Sequence, residues 1–395
     1  MSIKNDLSTL KTNIQNVKTK MYNNLTSKGV SVASTDTLDT MADKIDDITV
    51  GEGGGSGNPF EVIGYDTLPT YMVDGIAYGK TIYDNWDGSV SADYSNKFSG
   101  DTNIVFLPNI DLSNATKTNL MFANCVNLRY VPPLDLGNST NMTEMFSDCT
   151  SLTDIDLSTS RPSKTTKTAG MFHRCKALRT ANLSSWSMPE NIMPGSMFSG
   201  CTNLVNVKLD NWYLPKATNI ANMFDGCTSL GYVDFSTCQI NNLTNMSYTF
   251  NACSGLTYVN FSNMDTTKIT TYNATFSLCP KLEKIIGHLS VKGFTGNIAV
   301  TSFVAYTSNN ILSYFTIKDI GFYSGMTSAD FSYLRKWGTG DATNKATLVN
   351  SLKTYSYDRS TAGYSTCTIT LSSNSKAVLS ETDIAAITAK GYTIA

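Results

Sequence analysis

One short pattern returns along this chain at a nearly constant step. Met-Phe-x-x-Cys, or a close variant, stands at "MFANC" (121), "MFSDC" (145), "MFHRC" (171), "MFSGC" (197), "MFDGC" (223), "TFNAC" (249) and "TFSLC" (275). The first step is 24 residues and the next five are 26 each. Seven occurrences in one register mean a repeat architecture, in which one unit cannot bury its apolar face alone and stacked units share a core. A leucine follows each cysteine by three residues: Leu128, Leu152, Leu178, Leu204, Leu230, Leu256 and Leu282. An alternating segment comes next, as in "LTDIDL", "LVNVKL" and "LGYVDF", and period two predicts a short half-buried strand. Apolar residues at i, i+1, i+4 and i+7 of the M-F-x-x-C-x-x-L segment predict a short helix before it. The expected fold class is therefore α/β: a repeat solenoid with a short helix plus a strand per 24–26-residue unit, capped at both ends.

The same register assigns the cysteines. Zinc sites favour closely spaced pairs such as C-x-x-C, and the chain has none. Its two histidines, His173 and His288, lie far apart in sequence. A cysteine in a repeating column is expected to pack as a small buried hydrophobe, so no metal and no cofactor is expected. A second column, eleven residues before the Met position, reads Trp186, Trp212, Cys238 and Met264, which predicts packing along the solenoid flank. Only Cys367 falls outside the array, and His173 sits where other units carry small polar residues.

Between the buried positions of each strand the side chains face outward. One outward column is Tyr130, Asp154, Thr180, Asn206, Tyr232 and Tyr258; its neighbour is Asp156, Asn182, Lys208, Asp234 and Asn260. Aromatic faces beside amides and charges suit glycans or peptides, which makes Tyr232, Tyr258, Asp234, Asn260 and Lys208 the candidate ligand-binding residues. A solvated sheet that binds nothing is the alternative at any one of them.

The ends differ from the array. "TYMVDGIAYGKTIYDNW" (70–86) has apolar residues at helical spacing and is expected to form an N-terminal cap helix within 59–103, with repeats over 104–294. Over 295–395 a C-terminal cap is expected: a helix at 345–355, a strand at 365–372, and a helix at 380–391 with a Ser380/Asp383 capping box and Gly391 as its stop, before a last strand "YTIA". Residues 295–344 carry no clear pattern.

Within residues 1–50, Ile3, Leu7, Leu10, Ile14, Val17 and Met21 step by 4, 3, 4, 3 and 4, a heptad seam. β-Branched residues at both core positions lean towards a trimer. A second segment, "DTLDTMADKIDDI", is acidic where the first is basic, so the two are expected to meet within or between chains. "GEGGGSG" within 51–58 reads as a flexible linker and lacks the Lys-Ser/Thr of a phosphate-binding loop.

The units resemble the BspA-like leucine-rich repeats, whose core runs NM-x-x-MF-x-x-C-x-x-L; "NMTEMFSDCTSL" (141–152) and "NIANMFDGCTSL" (219–230) carry the likeness. It covers residues 104–290, and "MPGSMF" and "TAGMF" depart from it just before the Met-Phe pair. This family occurs in bacterial surface adhesins and phage proteins, which implies a binding role. The stretch at 28–45, "KGVSVASTDTLDTMADKI", resembles the attachment region of phage fibre and receptor-binding proteins. That likeness implies a virion protein, docked on other virion proteins by its N-terminus and binding a host surface glycan or protein through its repeats. A structural head fibre or capsid decoration protein and a bacterial surface adhesin are the alternatives.

Composition narrows the remaining classes. Charged residues make up 16% of the chain and the formal net charge is −2, so phosphate neutralisation of a nucleic acid is not expected. No apolar run reaches membrane-spanning length, so no membrane insertion is expected. "MSIKNDLSTLKTNIQ" lacks the apolar centre of a secretory signal, which favours release by lysis, as for a virion, or a processed fragment on a bacterial surface. No G-x-S-x-G, H-E-x-x-H or Cys–His arrangement is present, and Asp154 and Asp156 have no evident opposing carboxylate, so no catalysis is expected.

Overall fold

The computed structural model describes residues 91–395 apart from 106, 108, 109, 191, 297, 300–311 and 333, together with two short strands before them. The heptad seam at Ile3, Leu7, Leu10, Ile14, Val17 and Met21, the acidic segment and the Gly-rich linker lie outside the described residues.

The two short strands are β1 (Thr70–Val73) and β2 (Ile76–Gly79), paired antiparallel with Val73 opposite Ile76. This corrects the expected cap helix. Asp74-Gly75 between them is a strong two-residue hairpin signal, and it outweighs an apolar spacing that fits either element.

The array is a parallel coil. Strands β3 (Asp154–Asp156), β4 (Thr180–Asn182) and β5 (Asn206–Lys208) pair in register, as do β6 (Tyr232–Asp234), β7 (Tyr258–Asn260) and β8 (Lys284–Ile286). The middle residue of each strand, from Ile155 to Ile285, points into the core.

The Met-Phe-x-x-Cys leg is not a helix, which corrects the helix-plus-strand unit. Alternate amides leave the segment: Leu120, Phe122 and Asn124 donate to Thr143, Met145 and Ser147 of the next unit at 2.8–2.9 Å. The amides between them, on Met121, Ala123 and Cys125, close tight turns onto carbonyls three residues back. Such alternation needs left-handed backbone at two places in every unit. The residues before Met (Leu120, Glu144, Gly170, Ser196, Asn222, Tyr248, Ala274) and before Cys (Asn124, Asp148, Arg174, Gly200, Gly226, Ala252, Leu278) all have positive φ. A non-glycine residue there costs about 1–2 kcal/mol, which the inter-unit bonds and core burial offset.

Like residues then stack on like. Phenylalanines 98, 122, 146, 172, 198, 224, 250 and 276 form a buried ladder with ring centroids 5.3–5.7 Å apart. Each pair adds about 0.5–1.5 kcal/mol beyond its area burial. Phe98 shows that the array begins before residue 104, in the degenerate unit "KFSGD" (97–101).

Beyond the array the chain keeps coiling in parallel. β9 (Leu289–Ser290) pairs with β11 (Ile317–Lys318). A four-stranded parallel sheet follows, ordered β10 (Ile298–Ala299), β12 (Ser328–Phe331), β13 (Cys367–Leu371) and β14 (Tyr392–Ile394). Helix α1 (Ala342–Val349), capped by Asp341 and continued by a π-turn at Asn350–Thr354, connects β12 to β13. The short α2 (Ser373–Lys376) and α3 (Glu381–Ala389) connect β13 to β14. Ser380 and Asp383 make the expected capping box, and Gly391 ends the segment at φ 88°.

Candidate functional site

The repeated cysteines are core. Each thiol donates to the Phe carbonyl one unit back, from Cys125 to Phe98 through Cys279 to Phe250, at 2.9–3.1 Å. Burial pushes these thiols up, to about 12 at Cys125 and Cys279, so the reactive thiolate is suppressed. The Trp186 and Trp212 indoles stack at 6.3 Å and donate to Leu157 and Leu183, and Cys238 makes the equivalent bond to Leu209. Both indoles are fully buried, which leaves them no ligand to stack on.

Function is therefore sought on the outward strand face, where the six strands fall into two sheets. On the second sheet, Tyr232 and Tyr258 are register partners whose rings stack at 5.2 Å and 10°. Partial burial, then Tyr232 and Asp234, hold the Tyr258 phenol above its ordinary value. Asp234 and Asn260 are also register partners, and each side chain caps its own strand end by accepting from the amide of Ser236 or Ser262. Four of the five candidate residues thus form one cluster.

The strip is longer than the two outward columns indicate. Lys284 is the next register partner of Tyr258, and Tyr314 bridges to Lys284 in turn. The Lys284 ammonium lies 4.6 Å from the Tyr314 ring centre, a cation–π contact. Tyr314 was not identifiable beforehand because it lies in the patternless stretch, past an irregular connection; Lys284 could have been found by extending the Tyr258 column one unit.

Lys208 is on the neighbouring sheet. It lies on β5 in the first sheet, across an interruption of the ladder between β5 and β6. Gly231 stands at this point, where other units carry Thr153, Arg179, Val205 and Thr257, and glycine weakens a strand. Over β3–β5 runs a groove of about 640 Å³, lined among others by Tyr130, Asp154, Asp156, Thr180, Asn182, Asn206 and Lys208. Thr180 donates to Asp154 at 2.7 Å, and Asn182 to Asp156 at 3.0 Å. The Ser158 hydroxyl and amide, helped by Asn182, hold the Asp156 carboxyl below the usual carboxylate range.

A family profile described as "Mycoplasma protein of unknown function, DUF285" matches residues 92–207 and again 193–314, together more than half of the chain. The chain belongs to that family. It is a BspA-like leucine-rich-repeat protein, and the family's match begins at 92, in line with Phe98 as a member of the ladder.

Curated protein sequences give no match. Among solved structures, this family member is similar to a chain of the Drosophila Toll–Spätzle complex at 13% identity and TM-score 0.30, covering 65% of this chain and 29% of that one. It is similar to a leucine-rich repeat protein from Bacteroides ovatus at 16% identity and TM-score 0.27, covering 68% and 74%. The functional domain of InlJ from Listeria monocytogenes, which includes a cysteine ladder, matches at 17% identity and TM-score 0.19, covering 69% and 66%. Overlaps this loose carry no argument, and the solenoid rests on the ladders of this chain and on its family.

Among the described residues no helix is long and apolar enough to cross a membrane, and no group of three or more His, Cys, Asp or Glu side chains is placed to hold a metal.

Proposed function

We propose that this chain is an adhesin-type binding protein that presents the outward face of its solenoid to a cell-surface molecule, without catalysis and without a cofactor. One observation carries the reading. Inward positions repeat the same residue types from unit to unit, while outward positions on the same strands differ: Tyr130, Asp154, Thr180, Asn206, Tyr232, Tyr258. A scaffold that holds its core constant and varies its face displays side chains, and membership of the BspA-like family supports a surface role. The cluster Tyr232, Tyr258, Asp234 and Asn260, extended by Lys284 and Tyr314, is the contact surface on this reading.

The finer proposal is a virion fibre or receptor-binding protein, supported by the likeness of residues 28–45 to phage attachment regions. Residues 1–50 would trimerise it and dock it on other virion proteins, and trimerisation would add avidity to weak single contacts.

Adsorption of labelled protein to a panel of bacterial cells tests the site. Tyr232→Ala with Tyr258→Ala is expected to lower adsorption at least tenfold with the melting temperature nearly unchanged; unchanged adsorption moves the site elsewhere. Light scattering tests the anchor: the full chain is expected to be trimeric and a chain lacking residues 1–50 monomeric. A truncated chain that still forms trimers refutes the anchoring role.

A further inference from the structure

We infer that the groove over β3–β5 is a binding site for a neutral oligosaccharide, distinct from the tyrosine strip of β6–β7. The inference rests on the adhesin reading, in that it names the class of ligand one half of the face would take.

Size comes first. From the Tyr130 column position to Asn206 there are three strand-to-strand steps, roughly 14 Å at the usual strand spacing. With a volume of about 640 Å³ the groove accepts a short extended chain of sugar rings.

Chemistry selects among polymers. Two carboxylates, Asp154 and Asp156, face one ammonium, Lys208, so the lining disfavours nucleic acids and uronic or sulfated polysaccharides. Of the apolar side chains that line it, Val131, Ile155 and Ala181 are at most 5% exposed and Pro133 alone lies at the surface, so the groove has a shallow apolar patch rather than the deep pocket that anchors a protein hot spot. What it offers is planar acceptors and amides on successive strands, with Tyr130, 46% exposed, at one end as a stacking surface.

Orientation is already set. Asp154 is held by Thr180, and Asp156 by Asn182 and Ser158, so neither carboxylate must be ordered when a ligand arrives. A carboxylate has about four lone-pair directions, and one bond at Asp154 leaves the rest for sugar hydroxyls. Such preorganisation lowers the cost of binding.

The interruption between β5 and β6 marks the boundary with the second half of the face, where Tyr232, Tyr258, Lys284 and Tyr314 offer aromatic and cationic chemistry instead. The two surfaces can therefore be tested separately.

The full chain is applied to an array of neutral hexose and N-acetylhexosamine oligosaccharides of two to six sugars, with sulfated and uronic-acid glycans and extracellular proteins alongside. Neutral glycans of three or more sugars are expected to bind. Asp154→Ala and, separately, Asn182→Ala are expected to weaken that binding at least tenfold, while Lys216→Ala, at an exposed residue outside both surfaces, leaves it within twofold. Far-ultraviolet dichroism and melting confirm that each variant is folded. Binding only to anionic glycans, binding only to proteins, or full binding by both groove variants overturns the inference. Adsorption to cells that survives with no glycan bound also overturns it and leaves the adhesin reading intact, whereas absence of all adsorption removes that reading as well.

Discussion

The repeat array and the C-terminal tail are both parallel coils, held together in opposite ways. In the array the core contacts come in series: a Phe on a Phe, a thiol on a Phe carbonyl, a strand on its copy. In the tail the contacts are singular. Arg359 is fully buried, and its guanidinium donates to the carbonyls of Gly321, Tyr323, Ser324, Met326 and Ser365. The Tyr392 hydroxyl shares its one proton between the carbonyls of Ile320 and Tyr357, and the Trp337 indole donates to Phe315. A series spreads its stability over neighbouring units, whereas a hub concentrates it at one residue. Damage to the first should stay local, and damage to the second should not.

The largest test of that contrast is Arg359→Ala. It strands the buried carbonyls of Gly321 and Met326, removes the donor to three more exposed carbonyls and empties the space of a fully buried side chain, and at about 1–3 kcal/mol for each group not reached by water plus the cavity left behind, a loss of about 5 kcal/mol is expected. Hydrogen exchange should show protection lost together across 317–331 and 367–394, with residues 120–260 unaffected. Arg359→Lys should recover less than half, because a single ammonium cannot replace the planar fork. Equal loss of protection in the array would erase the distinction between hub and series.

Next is Phe172→Ala, which removes one rung between Phe146 and Phe198. About 4 kcal/mol is expected from cavity formation in a close-packed core. Exchange should rise most at the amides of residues 146 and 172, which donate to the neighbouring units, and fade within two units. Loss of protection as far as the Phe98 unit would mean that the ladder is cooperative throughout.

The smallest effect should be a gain. Leu278 occupies the left-handed position before Cys279 at φ 56° and is 45% exposed, so Leu278→Gly removes strain with little lost packing. Melting should rise by the equivalent of about 0.5–1 kcal/mol. A fall would show that the Leu278 side chain contributes packing at the junction of array and tail.

Much of this is legible in the sequence, and the rest is hidden for physical reasons. The period, the buried columns and the outward columns follow from residues returning in register, since stacking like on like needs the same side chain at each level. The pattern predicts a helix where the chain makes turns because apolar residues at i, i+1, i+4 and i+7 suit either a helical face or a pair of tight turns. The discriminating signal lay in Asn124, Asp148, Gly200 and Gly226, residue types that tolerate left-handed backbone just before the cysteine. The hairpin at 70–79 is ambiguous in the same way, with Asp74-Gly75 as the signal that decides it. At the candidate site, Tyr232, Tyr258, Asp234 and Asn260 are legible as neighbours, but the break in strand pairing between them and Lys208 is not.

Local pattern alone thus determined that this chain stacks, which side chains enter its core and which residues share an outward column. Those properties depend on period and polarity, and both are written along one strand. Tertiary structure decided that the amides of the Met-Phe leg bond outward to the next unit, that the face divides between β5 and β6, and that Tyr314 joins the tyrosine strip. Each of these depends on what a neighbouring turn of the coil supplies, and an amide with two possible acceptors is assigned only when both are in place.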